Sequence, residues 1–201
     1  AITCQIVKMS ETSPDPRRLA ILESATRAFT HYGIRKTSMD DIARGAGVSR
    51  PALYLHFRNK EDIYRALVAA FYDQAVQDVQ AALEGAGRVA DRLDAAFAAQ
   101  GGEVVALMLG SPHGMELLDM GADSATDLIQ AGEGRLAAVY ARWLERMARE
   151  GEVSLTGPAE EIAATFTAAL KGIKCAVPDY GTYRARVAQL AALMGAGLAK
   201  R

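Results

Sequence analysis

The stretch "DDIARGAGVSRPALYLHFRNKE", Asp40 to Glu61, decides how the chain is read. Two short helical pieces are joined by a turn holding Gly45 and Gly47, and the second carries an Arg-Pro-Ala-Leu-Tyr-Leu-His run edged with basic residues. A helix that only had to pack would have no use for that edge. Thr37 or Ser38 is expected to cap the first piece, with Asp40 and Asp41 as capping-box partners and Met39, Ile42 and Ala43 as its inward face. Ser49 is expected to cap the second. Pro51 then falls in the first turn, where a proline costs no hydrogen bond. Leu53 and Phe57, one turn apart, would pack back onto the preceding helices.

Outward from this stretch the pattern stays helical. Upstream, Asp15 followed by Pro16 is a helix opening, and Leu22, Ala25, Ala28, Phe29 and Tyr32 recur at helical spacing until Gly33 closes the element. Downstream, Lys60 begins a long helix with Ile63, Leu67, Phe71, Tyr72, Val76, Val79 and Leu83 as its apolar stripe, ended by Glu84 to Gly87. Shorter helices are expected over Arg88–Gln100 and Gly102–Leu109. A loop from Gly110 to Gly114 and a short helix to about Met120 follow. Longer helices then cover Ser124–Arg149, Pro158–Val177 and Tyr180–Lys200. No segment alternates with period two over β-branched residues. The expected fold is therefore all-α, an N-terminal three-helix helix-turn-helix head on a larger helical body. The expected divisions are a tail over 1–15, the head over 16–62 and the body over 63–201.

The 201-residue chain has a formal net charge of −1, which hides an asymmetry. Between Pro16 and Val68, ten Lys and Arg face five Asp and Glu; from Ala69 onward, twelve bases face seventeen acids. A basic N-terminal block on an acidic remainder is expected where one end meets a polyanion. The two cysteines, Cys4 and Cys175, are far apart and in no metal-like spacing, so neither a disulfide scaffold nor a zinc site is expected, and a reducing cytoplasm suits them. No apolar run reaches the ~18 residues of a membrane span. The start lacks the layout of a signal peptide, and Met9 opens "MSETSPDPRR" as a natural start would. Residues 1–8 are left out of the functional reading.

Two helices joined by a tight glycine-bearing turn match the helix-turn-helix, whose second helix enters the major groove of DNA. With Leu53 and Phe57 turned inward, Pro51 and Leu55 point away, flanked by Ala52 and Tyr54. Arg50 at the tip suits guanine O6 and N7, and Ala52 suits a thymine methyl. Tyr54, His56 and Lys60 suit phosphates, as do Thr37 and Ser38 with the backbone N–H groups at their helix start; Met39 and Ser49 complete the candidate DNA-binding set.

The run from Thr37 to about Leu67, "TSMDDIARGAGVSRPALYLHFRNKEDIYRAL", resembles the DNA-binding signature of the tetracycline-repressor (TetR) family. The family pattern is T-(ST)-x-x-x-I-A-x-x-A-G-V-S-x-(GP)-x-(LI)-Y-x-H-F-x-(SN)-K-E-x-L. Pro51 replaces the commoner glycine, and Leu55 stands where many members carry a larger or polar residue. The rest of the chain is similar to the family in length and helical layout alone. The resemblance implies a homodimer that binds a palindromic double-stranded DNA operator through its heads and a small-molecule effector in its body. Its last two helices would form a four-helix bundle with those of the partner. Ile162, Phe166, Ala169 and Ile173 make one candidate stripe; Val187, Leu190, Ala191, Met194 and Leu198 make the other, with Ala163, Gly172, Ala188 and Gly195 allowing close approach.

An effector pocket is looked for around Phe97, Met108, His113, Met115, Tyr140, Trp143, Met147 and Phe166, because aromatic and methionine side chains suit an adaptable apolar cavity. Each of these residues also reads as ordinary core. No nucleophile with a base, carboxylate pair or phosphate loop stands out, so no enzyme activity, cofactor or metal is expected. The expected function is a sequence-specific transcriptional regulator, a repressor released from its operator by a small molecule, acting in the cytoplasm. The alternative is a helical ligand-binding protein or enzyme that does not act through DNA.

Overall fold

The computed structural model describes residues 15–117 and 124–200. Cys4, Met9 and Met120, which enter the sequence reading, lie outside them. Among the described residues the chain is helical with no strand. The helices are α1 (Pro16–Tyr32), α2 (Met39–Gly45), α3 (Arg50–His56), α4 (Lys60–Leu83), α5 (Val89–Leu109), α6 (Thr126–Arg149), α7 (Ala159–Cys175) and α8 (Tyr180–Leu198). Residues 114–117 are also helical. The two helices expected on either side of Gln100 are one run, α5, bent at Gly102, whose φ of 53° interrupts the helical backbone.

The chain packs as two compact units. Among the described residues, one takes those up to 74 with those between 106 and 130, the other 75–105 with those from 131 onward. This division differs from a cut at residue 62, because residues 106–130 pack with the head rather than with the remainder of the chain.

In the first unit, local chemistry sets the ends of the short helices. The Asp15 carboxylate accepts from the Arg17 N–H at the start of α1, where Pro16 lacks a donor. Ser38 caps α2 through the Asp41 N–H, and Asp41 closes the box on the Ser38 N–H at 3.0 Å. Gly47, at φ 67°, turns the chain between α2 and α3. Ile21, Leu22, Ala25, Phe29, Ile42, Leu53, Phe57 and Ile63 then share one core. The Ser24 hydroxyl is buried and donates to the Ile42 carbonyl at 2.8 Å, and a Cβ at Gly45 would land on that hydroxyl. This is why α1 and α2 lie so close.

The returning segment is tied to α4 by two neighbouring residues. The Tyr64 hydroxyl donates to the Leu117 carbonyl at 2.7 Å, and burial pushes its pKa up to about 12. Arg65 grips both Asp127 oxygens at 2.7 Å and the Ser124 carbonyl at 2.8 Å, and that guanidinium holds the Asp127 carboxyl down at about 2. His113 donates its backbone N–H to Thr30 at the end of α1, and its ring meets Glu116 at 2.9 Å.

In the second unit, Phe97, Tyr140 and Phe166 meet edge to face with centroids 5.3–5.8 Å apart. Such aromatic packing adds to what the buried area contributes. The buried Tyr140 hydroxyl donates to Gln100 at 2.9 Å, and Trp143 donates to the Leu83 carbonyl at 3.1 Å. Helices α5 and α8 come close at Gly195, where a Cβ would sit 2.6 Å from the Ala90 Cβ and 2.8 Å from its Cα. Backbone cannot step aside as a flexible side chain can. Gly195→Ala is therefore expected to cost about 1–3 kcal/mol through overpacking, read as a lower urea midpoint; an unchanged midpoint would show that α5 and α8 do not need this approach.

Candidate nucleic-acid interface

Helix α3 is seven residues long, too short to persist on its own. Its orientation comes from Leu53 and Phe57, both buried in the head core. The Ser49 hydroxyl accepts from the Ala52 N–H at 3.3 Å, closing the first turn beside Pro51. With that rotation fixed, Ser49, Arg50, Pro51, Tyr54 and Leu55 are exposed and Ala52 is half-buried. Leu55 is 86% exposed, the highest value among the large exposed apolar residues described. The guanidinium of Arg50 donates to Asp40 at 3.0 Å and lies over the Tyr54 ring, 5.6 Å from its centroid. Its pKa is raised, first by the Tyr54 side chain and then by the charge of Asp40.

Several residues expected on this surface are committed elsewhere. Thr37 is buried, and its hydroxyl donates to the Gly33 and Ala28 carbonyls at 2.8 and 3.3 Å. Ser38 is exposed, but its hydroxyl is held in the α2 capping box. Met39 is partly buried against the head core. His56 is half-buried with Nε2 3.6 Å from the Asp15 carboxylate. The ammonium of Lys60 donates to the Ile34 and Arg35 carbonyls at 2.7 and 3.3 Å, so it pins the turn after α1. Sequence reasoning missed the Asp40–Arg50 pair, which joins side chains ten residues apart across the turn.

The expected pocket residues divide between the two units. Phe97, Tyr140, Trp143, Met147 and Phe166 are all buried in the second. Met108, His113 and Met115 belong to the first, with Met108 packed against the head core and Met115 exposed. Lys174 on α7 was not anticipated. It is half-buried, and burial pulls its ammonium pKa below the usual lysine value, while nearby Glu133 is engaged by Lys171 at 3.1 Å. Among the described residues no group of three His, Cys, Asp or Glu is arranged to hold a metal.

The expected dimer stripes point inward in part. Phe166, Val187, Ala191 and Leu198 are buried within the chain, and Ile162, Ala169, Ile173, Leu190 and Met194 are half-buried. The outward faces carry Ala164, Ala168 and Gly172 on α7, and Ala185, Ala188, Ala192 and a 65% exposed Leu193 on α8.

The family model described as bacterial regulatory proteins, tetR family, matches residues 21–67, the span from α1 through α3 into α4. The likeness to the tetR family is carried by residues 21–67. Among curated tetR-type relatives, the HTH-type transcriptional regulator TtgR of Pseudomonas putida is 37% identical over 68 residues, 34% of this chain and 32% of that one. The HTH-type transcriptional activator FasR of Mycolicibacterium smegmatis is 39% identical over 85 residues, 42% and 39% of the two chains. These matches span about a third of each relative's length. The solved structure of a TetR/AcrR-family transcriptional regulator from Thermobifida fusca superposes with a TM-score of 0.70 at 22% identity, covering 92% of this chain and all of that one, 100%. The tetR-type fold thus extends beyond the head, while sequence likeness is concentrated in it.

The tetR-type head also gives Lys60 a measurable role. Lys60→Met should lower the head's stability by about 1 kcal/mol in the absence of DNA, because two turn carbonyls lose a charged donor. Thermal unfolding of the free protein checks this; a full-stability variant would return Lys60 to a purely phosphate-facing role.

Proposed function

We propose that this protein is a sequence-specific DNA-binding transcriptional regulator, a homodimer that leaves a palindromic operator when a small molecule binds its second unit. The observation that carries the reading is the exposed Arg50–Pro51–Tyr54 edge of α3, held clear of the core by Leu53 and Phe57, within a tetR-type head. Arginine at the tip of a groove-entering helix is suited to guanine, and Tyr54 to the sugar–phosphate backbone. The basic balance of residues 16–68 adds sequence-independent attraction that falls with salt.

A palindromic site calls for two heads related by a two-fold axis. The outward alanine faces of α7 and α8 supply a surface on which a second copy could seat closely, with Leu193 as its large apolar residue. The effector would act by preferring the state that does not bind DNA; equal affinity for both states would shift nothing. Repression is the favoured sign of regulation, and the cytoplasm the place of action; among the described residues no helix is long and apolar enough to cross a membrane.

Selection from random DNA duplexes by the purified protein, repeated across salt concentrations, tests the reading. Enrichment of a palindrome with steep salt dependence is the expected outcome. A folded protein that enriches nothing would favour a ligand-binding protein that does not act on DNA. Leu193→Glu is expected to give a folded monomer by light scattering that binds a half-site weakly and the palindrome no better. A dimeric Leu193→Glu protein would move the interface elsewhere.

A further inference from the structure

The neighbouring acids Asp40 and Asp41 do different work. Asp41 closes the capping box with Ser38 and pairs with Arg44 at 3.4 Å. The cap of α2 is complete without Asp40, whose carboxylate reaches across the turn to the first residue of α3. An arginine at that position is opposed by the positive end of its own helix. The guanidinium is nonetheless held twice, by Asp40 of α2 and by Tyr54 one turn along α3. Asp40 accepts from Nη1 at 3.0 Å, and the guanidinium carbon lies over the Tyr54 ring. The bond to Asp40 takes one of the five guanidinium N–H groups, so donors remain for guanine O6 and N7.

Resting on the DNA-binding reading above, we propose that Asp40 is a positioning residue for specificity. It aims Arg50 at one base and, by its negative charge on the reading face, weakens attachment to DNA that lacks that base. Pre-organisation spares the long arginine side chain the ordering it would otherwise undergo on binding. The carboxylate acts in the opposite direction on non-cognate DNA, where it faces phosphates with no matched guanine to offset it. Specificity built this way is a difference between two affinities, raised from both ends.

This separates Asp40 from a residue that only supports the fold. Loss of a merely structural residue lowers affinity for all DNA together. Asp40→Ala should instead bind random-sequence duplex as tightly as the parent or more so, while losing about tenfold in preference for the guanine read by Arg50. Asp40→Asn keeps an acceptor for Arg50 and removes the charge. It should show the same gain on random DNA with a smaller loss at the guanine, and far-UV circular dichroism of both variants establishes that α2 is intact.

The experiment measures binding of parent, Asp40→Ala, Arg50→Ala and the double variant to the selected operator, to its guanine-substituted versions and to random duplex. Coupled loss is expected: in the Arg50→Ala background, Asp40→Ala should change the guanine preference no further. Independent, additive losses, or an unaltered base profile in Asp40→Ala, would overturn the assignment while leaving the regulator reading intact. A parent protein that enriches no site would overturn both. A readout without DNA completes the test. The Arg50 Nε–H should be ordered by nitrogen relaxation in the free parent and mobile in Asp40→Ala; equal mobility in the two would also overturn the assignment.

Discussion

The rotation of α3 about its own axis is the constraint on which the reading surface depends. Seven residues cannot hold a helix alone, so the burial of Leu53 and Phe57 against Ile21, Leu22, Phe29 and Ile42 both makes the helix and aims it. Everything on the outer edge follows from that registration. Arg50 comes to the tip, Tyr54 lies one turn on, and Leu55 stands in solvent. A shift of one residue in the buried pair would turn the helix by about 100° and re-aim the Arg50–Tyr54 edge.

Features with local causes were legible in the sequence. The caps at Asp15 and Ser49 act on N–H groups two and three residues on, Leu53 and Phe57 stand one turn apart, and the structure places the caps, the proline openings and this inward pair as expected. Side chains with distant partners were not legible. Thr37 looks like a cap, yet its hydroxyl also donates to the Ala28 carbonyl nine residues back. Lys60 looks like a phosphate contact but reaches back to Ile34. The Asp40 carboxylate could have closed the capping box, and only the structure shows that Asp41 does so.

The second unit shows a different bias. A search for large apolar residues at helical spacing finds whatever is buried, whether by the chain itself or by a partner. Val187, Ala191 and Leu198 were drawn to the expected interface for that reason, although they pack inside the chain. Alanine and glycine stand among the exposed residues of α7 and α8, beside Glu161, Thr165, Arg186 and Gln189, and their signal in a periodicity reading is weak. Gly195 likewise looked suited to a partner helix but lets Ala90 of α5 approach. The candidate pocket was a union of two sets, since methionine and histidine near residues 108–115 belong with the head and the aromatic trio does not.

The bonds from Tyr64 and Arg65 to Leu117, Ser124 and Asp127 mean that the first unit is not a contiguous stretch of chain. A recombination event that joined residues 15–74 to a foreign body would leave a buried tyrosine hydroxyl and a guanidinium without their acceptors. It would also strip Leu117 and Ala125 from the core. The transferable cassette is therefore two segments, and the stretch from 106 to 130 must travel with the head for it to remain whole. Exchange of heads among related chains is constrained accordingly: a graft succeeds where the recipient's own returning segment offers a carbonyl to Tyr64 and a carboxylate to Arg65.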